Sequence, residues 1–333
     1  SVGTVAEQVL YEIGNPQAYV LPDVVCDFSK IQLTQEGPDR VRVRGAVGHP
    51  APETYKVCAT CADGFRRGQL LTFNGFEAEQ KARTFAEAAI GRARTLLPQL
   101  RLADFTETSV EVLGGVSKVG YSEVTLKIAA RHPDAKGVGI LLKEITGLAL
   151  TTPPGLAIFA GGRPKPSPVI RLFSFLLPKM EVPIFIEFEG SGQAFVPKTG
   201  SASGKVVLPP SEPILPENAE PMIEVPLIKL AWGRSGDKGD SANIGVIARK
   251  PEYLPYLWTS LSEAVVAECF AEFLQGRVER FLLPGIHAIN FVLHEVLGGG
   301  GIASLRNDPQ GKGYAQKLLA QPIRIPEKLA RTL

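Results

Sequence analysis

The densest chemistry in the chain lies in "LAWGRSGDKGDSANIGVIARK", residues 230–250. Arg234, Asp237, Lys238 and Asp240 are interleaved there with Gly236 and Gly239, between two apolar runs. Glycine permits backbone turns that other residues resist, and successive N–H groups in such a turn make a nest for an anion. On that basis Arg234, Ser235, Gly236, Lys238, Gly239 and Asn243 are candidate binders of a phosphate or carboxylate. Asp237 and Asp240 suit proton transfer, a metal ion, or the capping of nearby amides. A turn that satisfies itself, with its charges paired at the surface, fits the same residues, and the pattern alone leaves these alternatives open.

His294 lies in "NFVLHEVLGGGG" with Asn290, Glu295 and Arg306 as polar company. Paired with Asp237 or Asp240 it would make an acid–base site; alone on an apolar helix it would be a structural histidine. Arg163 and Lys165, in "GGRPKPSP", suit either an anion or a stiff connection. Cys58 and Cys61 form a C-x-x-C without the second Cys or His pair that a structural zinc site needs, and no metal is assigned. They are expected as small, half-buried residues on opposite faces of a strand. The glycine run 298–301 follows an expected helix and lacks the Lys-Ser/Thr of a phosphate loop, so it is taken as a helix exit.

These residues need elements to hold them. The start of the chain predicts a helix, capped by Thr4 and Glu7 and stopped at Gly14-Asn15-Pro16. Strands are expected at 40–44, 54–61 and 69–73, the last two separated by glycine turns. A helix with Ala78, Ala82, Phe85, Ala89, Ala93 and Leu96 on one face covers 77–97. Strands at 109–113 and 123–131 and a helix over 135–146 follow, then a Pro- and Gly-punctuated segment that ends in an apolar strand by 179. Residues 182–188 suit another strand, and 189–222 reads as a flexible Gly/Ser/Pro-rich linker. Beyond it, strands 226–232 and 243–249 flank the charged loop, a connection too long for a two-residue turn. A helix over 254–274, a strand at 277–283, a short helix at 289–297 and a helix opened by Asp308-Pro309 complete the pattern. The whole predicts an α+β protein of two domains, with helices on one face of an antiparallel sheet in the second.

Composition narrows the function classes. The chain has 333 residues, 44% hydrophobic and 21% charged, with 36 basic against 34 acidic side chains. That balance carries no nucleic-acid footprint. No apolar run reaches the length of a membrane span, the opening "SVGTVAEQVLYEI" lacks the basic start and apolar run of a signal peptide, and four cysteines in a chain of this size suit a reducing cytoplasm.

Long irregular motifs add a resemblance. "VAEQVLYEIGNPQAYVLPDVVCDFS", "YKVCATCADGFR", "RHPDAKG" and "FAGGRPKPSPVIRLFSFLLPK" resemble the C-terminal part of the large domain of the acyclic terpene utilisation (AtuA) family. "LAWGRSGDKGDSANIGVIARKPEYLP" and "NFVLHEVLGGGGIASLRNDPQGKG" resemble its small ferredoxin-like domain. The resemblance implies a large-domain part over 1–188, the linker 189–222, and the small domain over 223–333. It also implies a chain that lacks the family's N-terminal half, which would be a partner segment. For function it implies an enzyme or enzyme subunit acting on branched or isoprenoid acyl-CoA or carboxylates, with a coenzyme A thioester as substrate. A non-catalytic assembly subunit, a homo-oligomer, or an inactive fragment are the alternatives.

Overall fold

The structure is a computed structural model that describes residues 1–116, 122–159, 162–200, 209–217 and 220–333. The protein is α+β, and the chain forms two compact units that are each discontinuous in sequence. One holds residues 1–59, 173–301 and 310–333; the other holds 60–172 and 302–309. The sequence boundary expected at 189–222 and the spatial division are therefore different things. Residues 201–208 and 218–219 of that segment lie outside the described residues.

The unit of residues 60–172 and 302–309 is built on an antiparallel sheet. Its main strands lie in the order Ser167–Pro178, Thr54–Gly75, Ser122–His132, Glu107–Val116. The expected strands 54–61 and 69–73 are one strand, not two. Gly64, at φ 75°, is a point of close approach within it, since a side chain there would meet the His132 carbonyl at 2.7 Å. Helices Ala78–Gln99 and Ala135–Leu148 cover one sheet face. Phe85, Ala89, Ala93 and Leu97 pack there on Leu71, Phe73, Leu126 and Ile128. Leu97, rather than Leu96, is the deeply buried residue of the last turn.

The larger unit centres on a four-stranded antiparallel sheet ordered Ala231–Lys238, Ser241–Ala248, Ala288–Leu293, Val278–Leu283. Its connectivity overturns several expectations. Lys238 pairs with Ser241, so the hairpin closes through the two residues Gly239 and Asp240. Gly239 has φ 65°, as the first central position of a type II′ turn requires. The charged stretch is therefore a strand, not a loop. Residues 288–293 form a central strand rather than a helix, because they are buried on both faces and such a run carries no readable period. The expected helix 254–274 is two, Leu254–Ser260 and Glu263–Cys269, with Ser262 capping the second. No helix starts at Asp308-Pro309; the next is Tyr314–Leu318.

Side chains on the two faces of this sheet alternate. Ala242, Ile244, Val246, Ile289, Phe291 and Leu293 face the helices and form the larger core with Leu257, Val266, Phe270 and Leu318. The opposite face is also covered, by the N-terminal helix Val2–Leu10: Ala6 and Leu10 pack on Ile247, Leu283 and Ala288. The helix begins one turn earlier than expected. Ser1 is the N-cap and Thr4 closes the capping box, in place of Thr4 and Glu7. Gly245 makes the close approach possible, because a Cβ there would lie 2.6 Å from Leu10 Cβ.

Candidate functional site

The strand Ala231–Lys238 presents its residues alternately to its two faces, and the charged stretch is divided accordingly. Arg234, Gly236 and Lys238 share a face with Ser241, Asn243, Asn290, His294 and Glu279. This is the face on which the N-terminal helix ends. Tyr11 lies under the Arg234 guanidinium, 4.5 Å from ring centre. Gly236 leaves room for that contact, since a Cβ would lie 2.6 Å from Glu12 Cγ and 2.9 Å from Tyr11 Cε2.

Two buried asparagines fix the chain that follows the helix. Asn243 donates to the Leu10 carbonyl at 2.6 Å and to Asn290 Oδ1 at 2.9 Å, and accepts from the Glu12 N–H at 2.9 Å. Asn290 donates to the carbonyls of Ile13 at 3.0 Å and Gly14 at 2.7 Å. Glu12 takes φ 56°, so the helix stops at Leu10 and the expected continuation to Ile13 does not form.

The turn of chain held there carries Glu12 into a cluster of charges. Lys312 donates to Tyr11 Oη at 2.8 Å, Glu12 Oε1 at 2.8 Å and Asp237 Oδ1 at 3.0 Å. Lys238 Nζ lies 3.4 Å from Glu12 Oε2. The Lys312 hydrogen bond, acting against burial and helped by Tyr11 and Lys238, holds the Glu12 carboxyl down at about 2. Burial works against the Lys312 charge, but Glu12, Tyr11 and Asp237 outweigh it and hold the ammonium above its usual range. Ser235, buried, donates to the Lys312 carbonyl and accepts from the Ala315 N–H, which fixes the segment that carries Lys312. Sequence reasoning missed Tyr11, Glu12 and Lys312, because each lies far along the chain and no local spacing joins them to the strand.

Asp240 serves the glycine run. Its Oδ1 accepts from the Gly299 N–H at 2.8 Å, and its carbonyl accepts from the Val296 and Leu297 N–H groups. Gly298, Gly299, Gly300 and Gly301 all have positive φ. A side chain at Gly300 would lie 2.0 Å from the Gly239 carbonyl. The run is thus the wrapping of the hairpin turn, not a helix exit.

His294 has a carboxylate partner, but not an aspartate. Its Nε2 lies 2.5 Å from Glu279 Oε2, and its Nδ1 lies 3.4 Å from Ser241 Oγ. The His294 hydrogen bond, opposed by burial and aided by Arg277, holds the Glu279 carboxyl below its usual range. With Glu279 ionised, His294 Nε2 donates to it. The sheet register sets Lys238 opposite Ser241, and the His294 N–H bonds the Arg277 carbonyl at 2.9 Å. Lys238 and Arg277 therefore flank the Ser241–His294–Glu279 row, with side chains 42% and 73% exposed. Ser241 and Glu279 were not foreseen, since only strand pairing brings them to the histidine.

Arg163, Lys165 and Arg306 belong to the other unit. Arg163 lines a cavity with Arg92, Lys143 and Glu144, and Lys165 is exposed. Arg306 lines a separate cavity with Arg66, Arg67 and Lys127. Cys58 and Cys61 are free and exposed, not half-buried. Among the described residues no group of three His, Cys, Asp or Glu side chains could hold a metal ion, and no helix is long and apolar enough to cross a membrane.

Two family models match the chain. One, described as acyclic terpene utilisation family protein AtuA, matches residues 1–188; the other, the AtuA ferredoxin-like domain, matches residues 225–324. No curated protein and no solved structure matches it.

The Glu12–Lys312 cluster predicts a pH signature. The folded Glu12 pKa of about 2 lies below its unfolded 4.5, so its stabilisation is complete above 4.5 and is lost as pH falls towards 2. Because the cluster is partly exposed and screened, its contribution is about 1 kcal/mol. Lys312→Met is expected to remove that amount at pH 7 and to flatten the stability curve between pH 4.5 and 2 in urea titrations. A Lys312→Met curve parallel to wild type would contradict the assignment.

Proposed function

Because the chain belongs to the acyclic terpene utilisation (AtuA) family, we propose that it is an enzyme or enzyme subunit acting on branched or isoprenoid acyl-CoA thioesters or carboxylates, with His294 as the proton-transfer group. One observation carries this reading, the Ser241–His294–Glu279 row with its 2.5 Å carboxylate–imidazole contact. A carboxylate that orients an imidazole and fixes its tautomer is the arrangement general-base catalysis needs. Lys238 and Arg277 flank the row and suit the negative charge of a carboxylate substrate or of a thioester's developing oxyanion. Asp237 and Asp240 act in this reading as supports. Asp237 anchors Lys312, and Asp240 holds the glycine run beside Ser241. Arg234, Ser235, Gly236, Gly239 and Asn243 likewise shape the surface that presents the row.

The test is turnover of geranyl-type and short branched thioesters by wild type, His294→Asn and Glu279→Gln. His294→Asn is expected to lose about 100-fold or more in turnover, with thioester affinity retained. Equal turnover by His294→Asn and wild type would sink the assignment.

A second reading, an assembly subunit, is favoured by a different observation. The hairpin Ile184–Phe188 with Ser191–Phe195 pairs only with itself among the described strands. Phe185 and Phe188 are 73% and 70% exposed, and Phe173, Phe175, Leu176 and Phe195 are exposed as well. A lone hairpin is marginal in water, and apolar surface of this extent marks a protein contact. The surface lies outside the residues matched by the ferredoxin-like domain. Self-association predicts a concentration-dependent mass in sedimentation that Phe185→Ser with Phe188→Ser abolishes. A wild-type monomer at every concentration would count against it.

A further inference from the structure

In the unit of residues 60–172 and 302–309, the sheet face away from the helices carries a cavity of about 260 Å³. Arg66, Gly68 and Leu70 share that face with their partners Arg131, Ala129 and Lys127. Gly68 and Ala129 leave the floor open; a Cβ on Gly68 would lie 2.8 Å from Ala129 Cβ. Segment 302–309 lies over it, with Leu305 and Arg306 among the lining residues. Its attachment is specific. Arg66 Nη1 donates to the Ser304 carbonyl, and the Asn307 N–H donates to Glu111 Oε2 at 2.9 Å.

Charge is the unusual property of this cavity. The side chains of Arg66, Lys127 and Arg306 bring it positive charge. The neighbouring carboxylate, Glu111, pairs with Lys127, which also donates to Ser109 Oγ at 3.1 Å. Glu107, the next acid along that strand, pairs with Arg131 at 3.2 Å. Burial holds both Arg66 and Lys127 below their usual ranges, Arg66 with the added repulsion of Arg67. Gathering positive charge at partly buried positions costs free energy that a bound anion recovers. The volume lies below the usual range for drug-sized ligands, roughly 300–1,000 Å³, so the cavity fits the anionic head of a molecule rather than a whole cofactor.

We propose that this cavity is a phosphoryl-binding site, in which Arg66, Lys127 and Arg306 hold a multiply charged phosphate or diphosphate group. The group could belong to free phosphate or to the phosphorylated end of a coenzyme A thioester, and the chemistry is the same. The site goes beyond the proposed reaction and is independent of His294.

Calorimetric titration of the full chain with inorganic phosphate, pyrophosphate, coenzyme A and pantetheine tests it. Pyrophosphate or coenzyme A is expected to bind saturably, weakening as salt rises, whereas pantetheine does not bind. Coenzyme A binding tightly where phosphate and pyrophosphate bind weakly assigns the site to a nucleotide-bearing ligand; the reverse assigns it to free phosphates. Arg66→Gln and Arg306→Gln, each checked for wild-type melting, should weaken binding tenfold or more. His294→Asn should leave it unchanged, so failure here is distinct from failure of the catalytic reading. No saturable binding of any phosphate, equal binding of pantetheine, or wild-type affinity in both arginine variants would overturn the proposal.

Discussion

The larger unit depends on one polar constraint inside an apolar setting. Asn243 and Asn290 are 1% and 0% exposed, so their amide groups must find partners within the protein. They find one another and the backbone of residues 10–14. An unmet amide at such depth costs about 1–3 kcal/mol. The pair therefore specifies where the N-terminal helix ends and how the chain leaves it. Moving that segment would leave buried donors and acceptors unpaired on both sides.

The surrounding charges follow from that placement. Once Glu12 is held at a left-handed φ, its carboxylate reaches Lys312 and Lys238, and Tyr11 reaches Arg234. Each of these contacts is half exposed and individually weak, so they orient groups more than they stabilise the fold. The close packing of glycines is the firmer part. Gly236 and Gly245 allow the N-terminal segment to lie on the sheet, and Gly300 lets the 298–301 run lie on the hairpin turn. The edge of the same face is where Ser241, His294 and Glu279 meet. The conspicuous charged stretch thus lies beside a Ser241–His294–Glu279 row that is itself inconspicuous in sequence.

Much of the fold was legible where the sequence carried a clear period. The helix Ala78–Gln99 was readable because burial on one side leaves a repeating pattern, and the strands Arg40–Arg44 and Ser122–His132 because their residue types alternate along the chain. The strand Ala288–Leu293 was not, because burial on both sides erases the period that separates strand from helix. The hairpin was expected, but its charged stretch was taken as a long loop between strands 226–232 and 243–249, because glycine and charge signal turns. Here glycine provides clearance for Tyr11 and Glu12, and the charges meet partners from distant segments. For the site, residue types drew attention to His294 and the charged strand. Its partners Glu279, Ser241 and Lys312 depend on pairing register and long-range packing, which local spacing does not encode.

Amide hydrogen exchange of Glu12 tests the central claim most directly. Among the described residues its N–H is bonded only by the Asn243 side chain. If the asparagine pair locks residues 10–14, this amide exchanges as slowly as those of Ile244 and Phe291 in the sheet, through global unfolding. Exchange as fast as in the exposed Arg40–Arg44 strand would show that the segment opens independently and that the lock does not hold.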